Sequence, residues 1–141
     1  MNAIDLRKLR ADLERHEGRR YSAYTVNGLW HIGVGRLIDA RQGGAVSDDE
    51  IDTMLDNDIT RHVDDLYKVF PWARELSEAR QRALANMAFQ MGVPRLREFK
   101  KMLGCLQSKD WLGAYQNALA SVWAEQTPDR AKEVASMLRD G

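Results

Sequence analysis

Leu6, Leu9 and Leu13 recur at helical spacing with Arg and Asp between them, which predicts a helix over residues 3–15 closed by Gly18. The period then changes. Two β-prone runs, Tyr21 to Val26 and Leu29 to Gly35, flank Asn27-Gly28, a dipeptide suited to a type I′ turn because both central positions take φ > 0. These runs predict a hairpin over about residues 20–36. An isolated hairpin is marginal, so it needs a third short strand or a helix to pack on.

Ser47-Asp48-Asp49-Glu50 matches a capping box. Ile51, Met54, Leu55, Ile59, Val63 and Leu66 then follow helical spacing to about Tyr67, a helix of about 19 residues and roughly 28 Å. Early aspartates suit its positive N-terminal end, and its length would let it bridge two lobes. Phe70-Pro71-Trp72 breaks the pattern. Ser77 opens a further helix carrying Ala83, Leu84, Met87, Ala88 and Met91, and Gly92 with Pro94 ends it. Shorter helices are predicted at about 95–103 and 108–120. Trp123 opens a polar, aromatic junction, and Thr127-Pro128 predicts a cap followed by proline in the first turn of a last helix. The fold class is α+β and mostly helical: a small N-terminal β-hairpin lobe, about residues 13–58, joined by a long helix to a helical C-terminal lobe, about 67–141 plus the N-terminal helix. The whole chain, 1–141, is expected to form one domain.

Composition narrows the function classes. The 44% hydrophobic share and four Trp are enough for a real core. One cysteine, Cys105, allows neither an intrachain disulfide nor a cysteine zinc cage. His16, His31 and His62 lack metal-ligand spacing, so no metal and no cofactor are expected. No run approaches a membrane span, and the N-terminal residues lack the apolar core of a signal peptide. Lys/Arg and Asp/Glu number 21 each, which argues against a polyanion-coating protein. The charges are segregated, however. Residues 42–66 carry eight acids against Arg61 alone, whereas residues 67–141 carry twelve bases and eight acids. A basic C-terminal half favours anionic surfaces through a salt-screened attraction. It is equally an ordinary solvated helix surface. Basic residues are not interleaved with aromatics along strands, so nucleic acid is not an expected partner.

Few side chains stand out as chemistry. Glu17 lies at the seam between the first helix and the hairpin, where a carboxyl facing a cleft could donate a proton. Position alone does not separate that role from a surface glutamate beside Arg15, Arg19 and Arg20. His31 shares one strand face with Gly33, opposite Trp30 and Ile32. Gly33-Val34-Gly35 is too short for a nucleotide-binding fingerprint. Asn86 and Gln90, at i and i+4, share a helix face; two amides there suit a polyhydroxyl or N-acetyl ligand and equally a buried polar contact.

In chain order, His16-Glu17-Gly18, Tyr24, Ile32-Gly33-Val34-Gly35, Phe89-Gln90-Met91-Gly92, Trp123 and Gln126-Thr127-Pro128-Asp129-Arg130-Ala131 resemble the phage lysozyme (endolysin) family, whose members cleave peptidoglycan. The similarity runs from about residue 6 to 141, and the ordered set is far more specific than any one tripeptide. The resemblance implies a lysozyme-like fold. It places Glu17 on the general acid and Arg130 on the arginine that pairs with it. It implies that Arg36 stands for a histidine and forms a salt bridge with Asp58. Leu37, Phe89 and Asn117 fall on residues that touch the glycan, with Gln90 beside them; Met102 replaces a hydroxyl residue there. Gln126 falls in the supporting motif. The implied partner is the peptidoglycan glycan strand, met by a monomer that waits in the host cytoplasm until a holin pore opens and then acts on the periplasmic wall.

One departure is chemical. The family pattern E-x8-D-x5-T is a residue shorter here. Thr25, Val26 and Asn27 fill the region of its aspartate, His31 replaces its threonine, and no acid occurs between Glu17 and Asp39. An inverting glycosidase normally uses two carboxyl groups about 6.5–9.5 Å apart. Three readings follow. His31 positions or deprotonates the attacking water, as an imidazole with an ordinary pKa of about 6.5 can near neutrality. Alternatively, Glu17 acts alone and the sugar's own hydroxyl attacks, as in lytic transglycosylases. In the third reading, the chain binds peptidoglycan without turnover.

Overall fold

The structure is a computed structural model that describes residues 5, 8, 11, 15, 18–33, 36–37 and 45–141. Two compact units divide the chain, Met1–Asp52 and Thr53–Gly141. In the first, Lys8, Ala11 and Arg15 are helical, as the leucine spacing predicts, while Leu6, Leu9 and Leu13 lie outside the described residues.

Strands β1 (Arg20–Val26) and β2 (Leu29–Gly33) pair antiparallel, with Val26 opposite Leu29 and Tyr24 opposite His31. Asn27 and Gly28 have φ of 52° and 77°, the left-handed pair that a two-residue I′ turn requires. The support an isolated hairpin needs comes from β3 (Arg36–Leu37), which completes a sheet of order β1-β2-β3. The β2–β3 register sets His31 opposite Leu37 and Ile32 opposite Arg36.

Helix α1 (Asp48–Val69) begins at the capping box. Ser47 Oγ accepts from Glu50 N at 3.3 Å and Glu50 Oε1 accepts from Ser47 N at 3.1 Å, so each residue satisfies an otherwise orphaned amide. The helix runs two residues beyond the predicted Tyr67. Phe70, which precedes Pro71 and leaves the helical region at φ −123° and ψ 71°, stops it, and a 3-10 turn over Pro71–Glu75 follows. Its apolar stripe is unevenly covered: Leu66 is fully buried, whereas Leu55 and Ile59 are each 44% exposed.

The second unit holds the core. Helices α2 (Glu78–Met91), α3 (Val93–Leu96), α4 (Lys100–Gln107), α5 (Trp111–Leu119), α6 (Val122–Gln126) and α7 (Pro128–Asp140) bury Leu84, Met87, Leu96, Leu106, Val134 and Leu138. Each such aliphatic side chain contributes about 1.5–3 kcal/mol by leaving water. Between them Ala83, Ala88, Ala114, Ala118, Ala131 and Ala135 are all fully buried, and their small side chains let the helices approach closely. Ser77 caps α2 as predicted, its Oγ accepting from Arg80 N at 3.3 Å. Gly92 ends α2 and opens α3 at φ 81°, where a side chain would be strained. Two expectations are corrected. The helix expected at about 95–103 is two pieces, Val93–Leu96 and Lys100–Gln107, and Pro94, in the first turn of the first piece, opens it rather than delaying it. Thr127 heads α7 without a side-chain cap: its hydroxyl donates back to Trp123 O at 3.0 Å.

Candidate functional site

In the hairpin, His31 is half-buried and its ring stacks on Tyr24, the cross-strand partner, at 5.8 Å between centroids. Its Nδ1 lies 3.0 Å from Leu29 O. A carbonyl only accepts, so Nδ1 carries the proton, and in the neutral ring Nε2 keeps its lone pair. Asn27 is exposed at the turn. Glu17 lies outside the described residues; Arg36 and Leu37 are described as β3 backbone, with their side chains outside.

In the helical unit, α1 and α2 enclose an apolar groove of about 500 Å³ whose walls include Leu55, Ile59, Val63, Ala85 and Phe89. Phe89 is 37% exposed and tilts against His62, with ring centroids 5.4 Å apart. Arg130 enters from α7. Its Nε donates to Asn86 Oδ1 at 2.8 Å and Nη2 to Asn86 O at 3.3 Å. Asn86 therefore holds an arginine, a role that its spacing from Gln90 did not reveal.

Two further depressions adjoin, sharing Glu98, Phe99, Ser121 and Val122. One, about 240 Å³, holds Gln90, Trp123 and Gln126; the other, about 580 Å³, holds Lys100, Lys101, Met102 and Asn117. Gln90, Gln126 and Asn117 are thus brought along one stretch of surface, while Phe89 and Arg130 line the apolar groove. Met102 needs correction as a glycan contact. It is 1% exposed, because the Lys-Lys-Met-Leu-Gly-Cys-Leu pattern turns Met102, Leu103 and Leu106 into the core. Asn117 is half-buried, and its Nδ2 donates to Gly113 O at 2.8 Å and lies 3.8 Å from Cys105 Sγ. It offers a ligand its carbonyl oxygen rather than a donor. Desolvation, then the nearby Asp110 carboxylate, pushes the Cys105 thiol above its ordinary value, against a smaller opposing pull from Asn117. Asp58 is bonded to Arg61 one turn along α1, an exposed pair of little energetic weight.

The spacing missed Arg80. It looks like one of several surface arginines in Ala-Arg-Gln-Arg, yet it is 9% exposed, with its guanidinium 3.6 Å from the Trp111 ring centroid. It also missed that Trp123 Nε1 donates to Gln90 Oε1 at 2.9 Å.

The phage lysozyme family profile matches residues 14–139. The chain belongs to the phage lysozyme family. It is 32% identical over 155 residues to the pre-baseplate central spike protein Gp5 of Enterobacteria phage T4, covering 92% of this chain and 27% of that protein. It is 25% identical to the protein described as Probable T4-type lysozyme 1 of Dictyostelium discoideum, over 92% of each. It is 27% identical to the peptidoglycan hydrolase gp36 of Pseudomonas phage phiKMV, over 91% of this chain and 15% of that one. The chain therefore spans about a quarter of the spike protein's length and nearly all of the Dictyostelium protein's.

Proposed function

We propose that this chain is a glycoside hydrolase that cuts peptidoglycan between N-acetylmuramic acid and N-acetylglucosamine. The observation that carries the reading is the family match over residues 14–139, a span that includes Glu17, His31, Phe89, Gln90 and Arg130. The relative named a peptidoglycan hydrolase supports the same substrate.

In this reading Glu17 protonates the leaving glycosidic oxygen while a water attacks the anomeric carbon. The water's proton passes to His31 Nε2 and from there to solvent, while solvent returns a proton to Glu17, so the net reaction consumes one water. Support for His31 comes from its Nδ1 bond to Leu29 O, which leaves the basic nitrogen unengaged by that carbonyl. Leu37, Phe89, Gln90 and Asn117 would line the glycan. Arg130, held by Asn86, would set the charge near the acid, because a cation stabilises an ionised carboxyl and desolvation opposes it.

Clearing of purified cell walls tests this. Glu17→Gln should lower the rate at least about 100-fold, the scale of a lost general acid. Wall clearing by that variant at the native rate would sink the reading. A transglycosylase is the second reading, favoured by the lack of any acid between Glu17 and Asp39. Mass spectrometry separates the two, because a hydrolysed end is about 18 Da, one water, heavier than an anhydro end.

A further inference from the structure

Gln90 is exposed beside a depression that also holds Arg95, Glu98 and Gln126, and its amide has a fixed orientation. Trp123 Nε1 lies 2.9 Å from Gln90 Oε1, and an indole N–H can only donate. The atom facing it must therefore be the amide oxygen, which chemistry settles independently of how the amide is drawn. The Gln90 NH2 is then turned away from the indole. The indole itself has little freedom. It is 8% exposed, stands edge-on to Phe99 with centroids 6.1 Å apart, and its backbone carbonyl accepts from both Thr127 N and Thr127 Oγ1. Ser121 brings no hydroxyl donor, because its Oγ already donates to Ala118 O at 2.7 Å.

We propose that Trp123 is a positioning residue. It holds the Gln90 amide so that its NH2 is available to an amide carbonyl of the substrate in this depression. The proposal rests on the peptidoglycan reading and adds which group of the polymer is recognised. Peptidoglycan offers that chemistry twice, in the N-acetyl groups of its sugars and in the amides of its peptide stems. Without Trp123 the side chain can turn its oxygen outward, and the same surface then favours donors.

The full chain and two variants test this. Trp123→Phe keeps the ring and removes the N–H. Gln90→Glu keeps an acceptor for the indole but replaces the outward donor with a carboxylate oxygen. Affinity is measured by calorimetry for N-acetylglucosamine oligosaccharides and for their de-N-acetylated counterparts, alongside KM and kcat on intact peptidoglycan. Both variants should raise KM five- to tenfold, as expected for one lost hydrogen bond, with kcat within about twofold. Gln90→Glu should bind the de-N-acetylated, ammonium-bearing oligosaccharide more tightly than the native chain does. A general loosening would weaken both oligosaccharides alike. Weakened binding of the acetylated oligosaccharide assigns the sugar N-acetyl. A KM rise on peptidoglycan with oligosaccharide affinity unchanged assigns the stem amide. Should Trp123→Phe fail to fold, the NMR signal of the Trp123 Nε1–H decides: it should shift in Gln90→Ala and when the oligosaccharide binds the native chain, and no shift in either overturns the positioning role. Native turnover with both variants matching it in KM and affinity overturns the positioning role by itself, whereas a native chain that leaves peptidoglycan intact overturns the underlying reading and this role together.

Discussion

Arg80 Nε donates to the carbonyl oxygen of Leu138 at 2.8 Å, joining residues 58 positions apart. Nη2 of the same guanidinium reaches Arg139 O at 2.9 Å. Both acceptors lie in the last turn of α7, where carbonyls have no partner within the helix. The positive charge also suits the negative end of the helix dipole. One side chain thus closes the final helix onto α2 and covers the face of Trp111.

Arg80→Met should therefore destabilise the helical unit by about 3 kcal/mol, since each hydrogen bond from a charged donor contributes about 1.5–3 kcal/mol. Arg80→Lys should recover less than half of this, because an ammonium cannot span two carbonyls and stack on an indole together. The midpoint of urea unfolding measures both. An unchanged midpoint in the methionine variant would refute the role.

His31→Ala should lower peptidoglycan turnover about 100-fold with Glu17 intact. Full turnover in the alanine variant would show that His31 takes no part.

Asn86→Ala removes the partner of Arg130 Nε without opening the core, since Asn86 is exposed. Unfolding stability should change by less than about 0.5 kcal/mol. Turnover should fall about threefold to tenfold as the guanidinium loses its fixed direction. Equal turnover in both proteins would count against Arg130 acting near the acid.

Cys105 supplies a pH prediction. Its thiol is raised above the ordinary 9.0, chiefly by desolvation. A raised group contributes stability that is complete below the unfolded value and is lost as pH rises through the folded one. Thermal stability should thus decline above pH 9 by more in the native chain than in Cys105→Ser. Alkylation of the native thiol at pH 8 should be slower than that of a free cysteine, because the thiolate is the nucleophile. Equal alkylation rates would show that the thiol is not shielded.

Local grammar was readable in the chain. Asn27-Gly28 announced the turn and thereby the strand register, and Ser47 with Glu50 announced the start of α1. Those signals act over a few residues, where steric and hydrogen-bonding rules are strict. The pairings that give side chains their roles span the fold. Asn86 and Gln90 share a helix face, yet partners 44 and 33 positions away claim their oxygens, and no periodicity encodes such distances. Met102 reads as a groove residue by alignment of motifs, whereas the apolar spacing of its own helix takes it inward. Thr127 has a capping residue's identity, but Trp123 O, four positions back, captures its hydroxyl.

Gly92 is shared by α2 and α3, ending one helix and beginning the next with no spare residue between them. Such a joint has no slack. Adding or deleting one residue there would swing everything downstream about the chain by roughly a third of a helical turn, carrying Trp123 away from Gln90. An inserted residue is therefore far better borne in an exposed loop than at this corner.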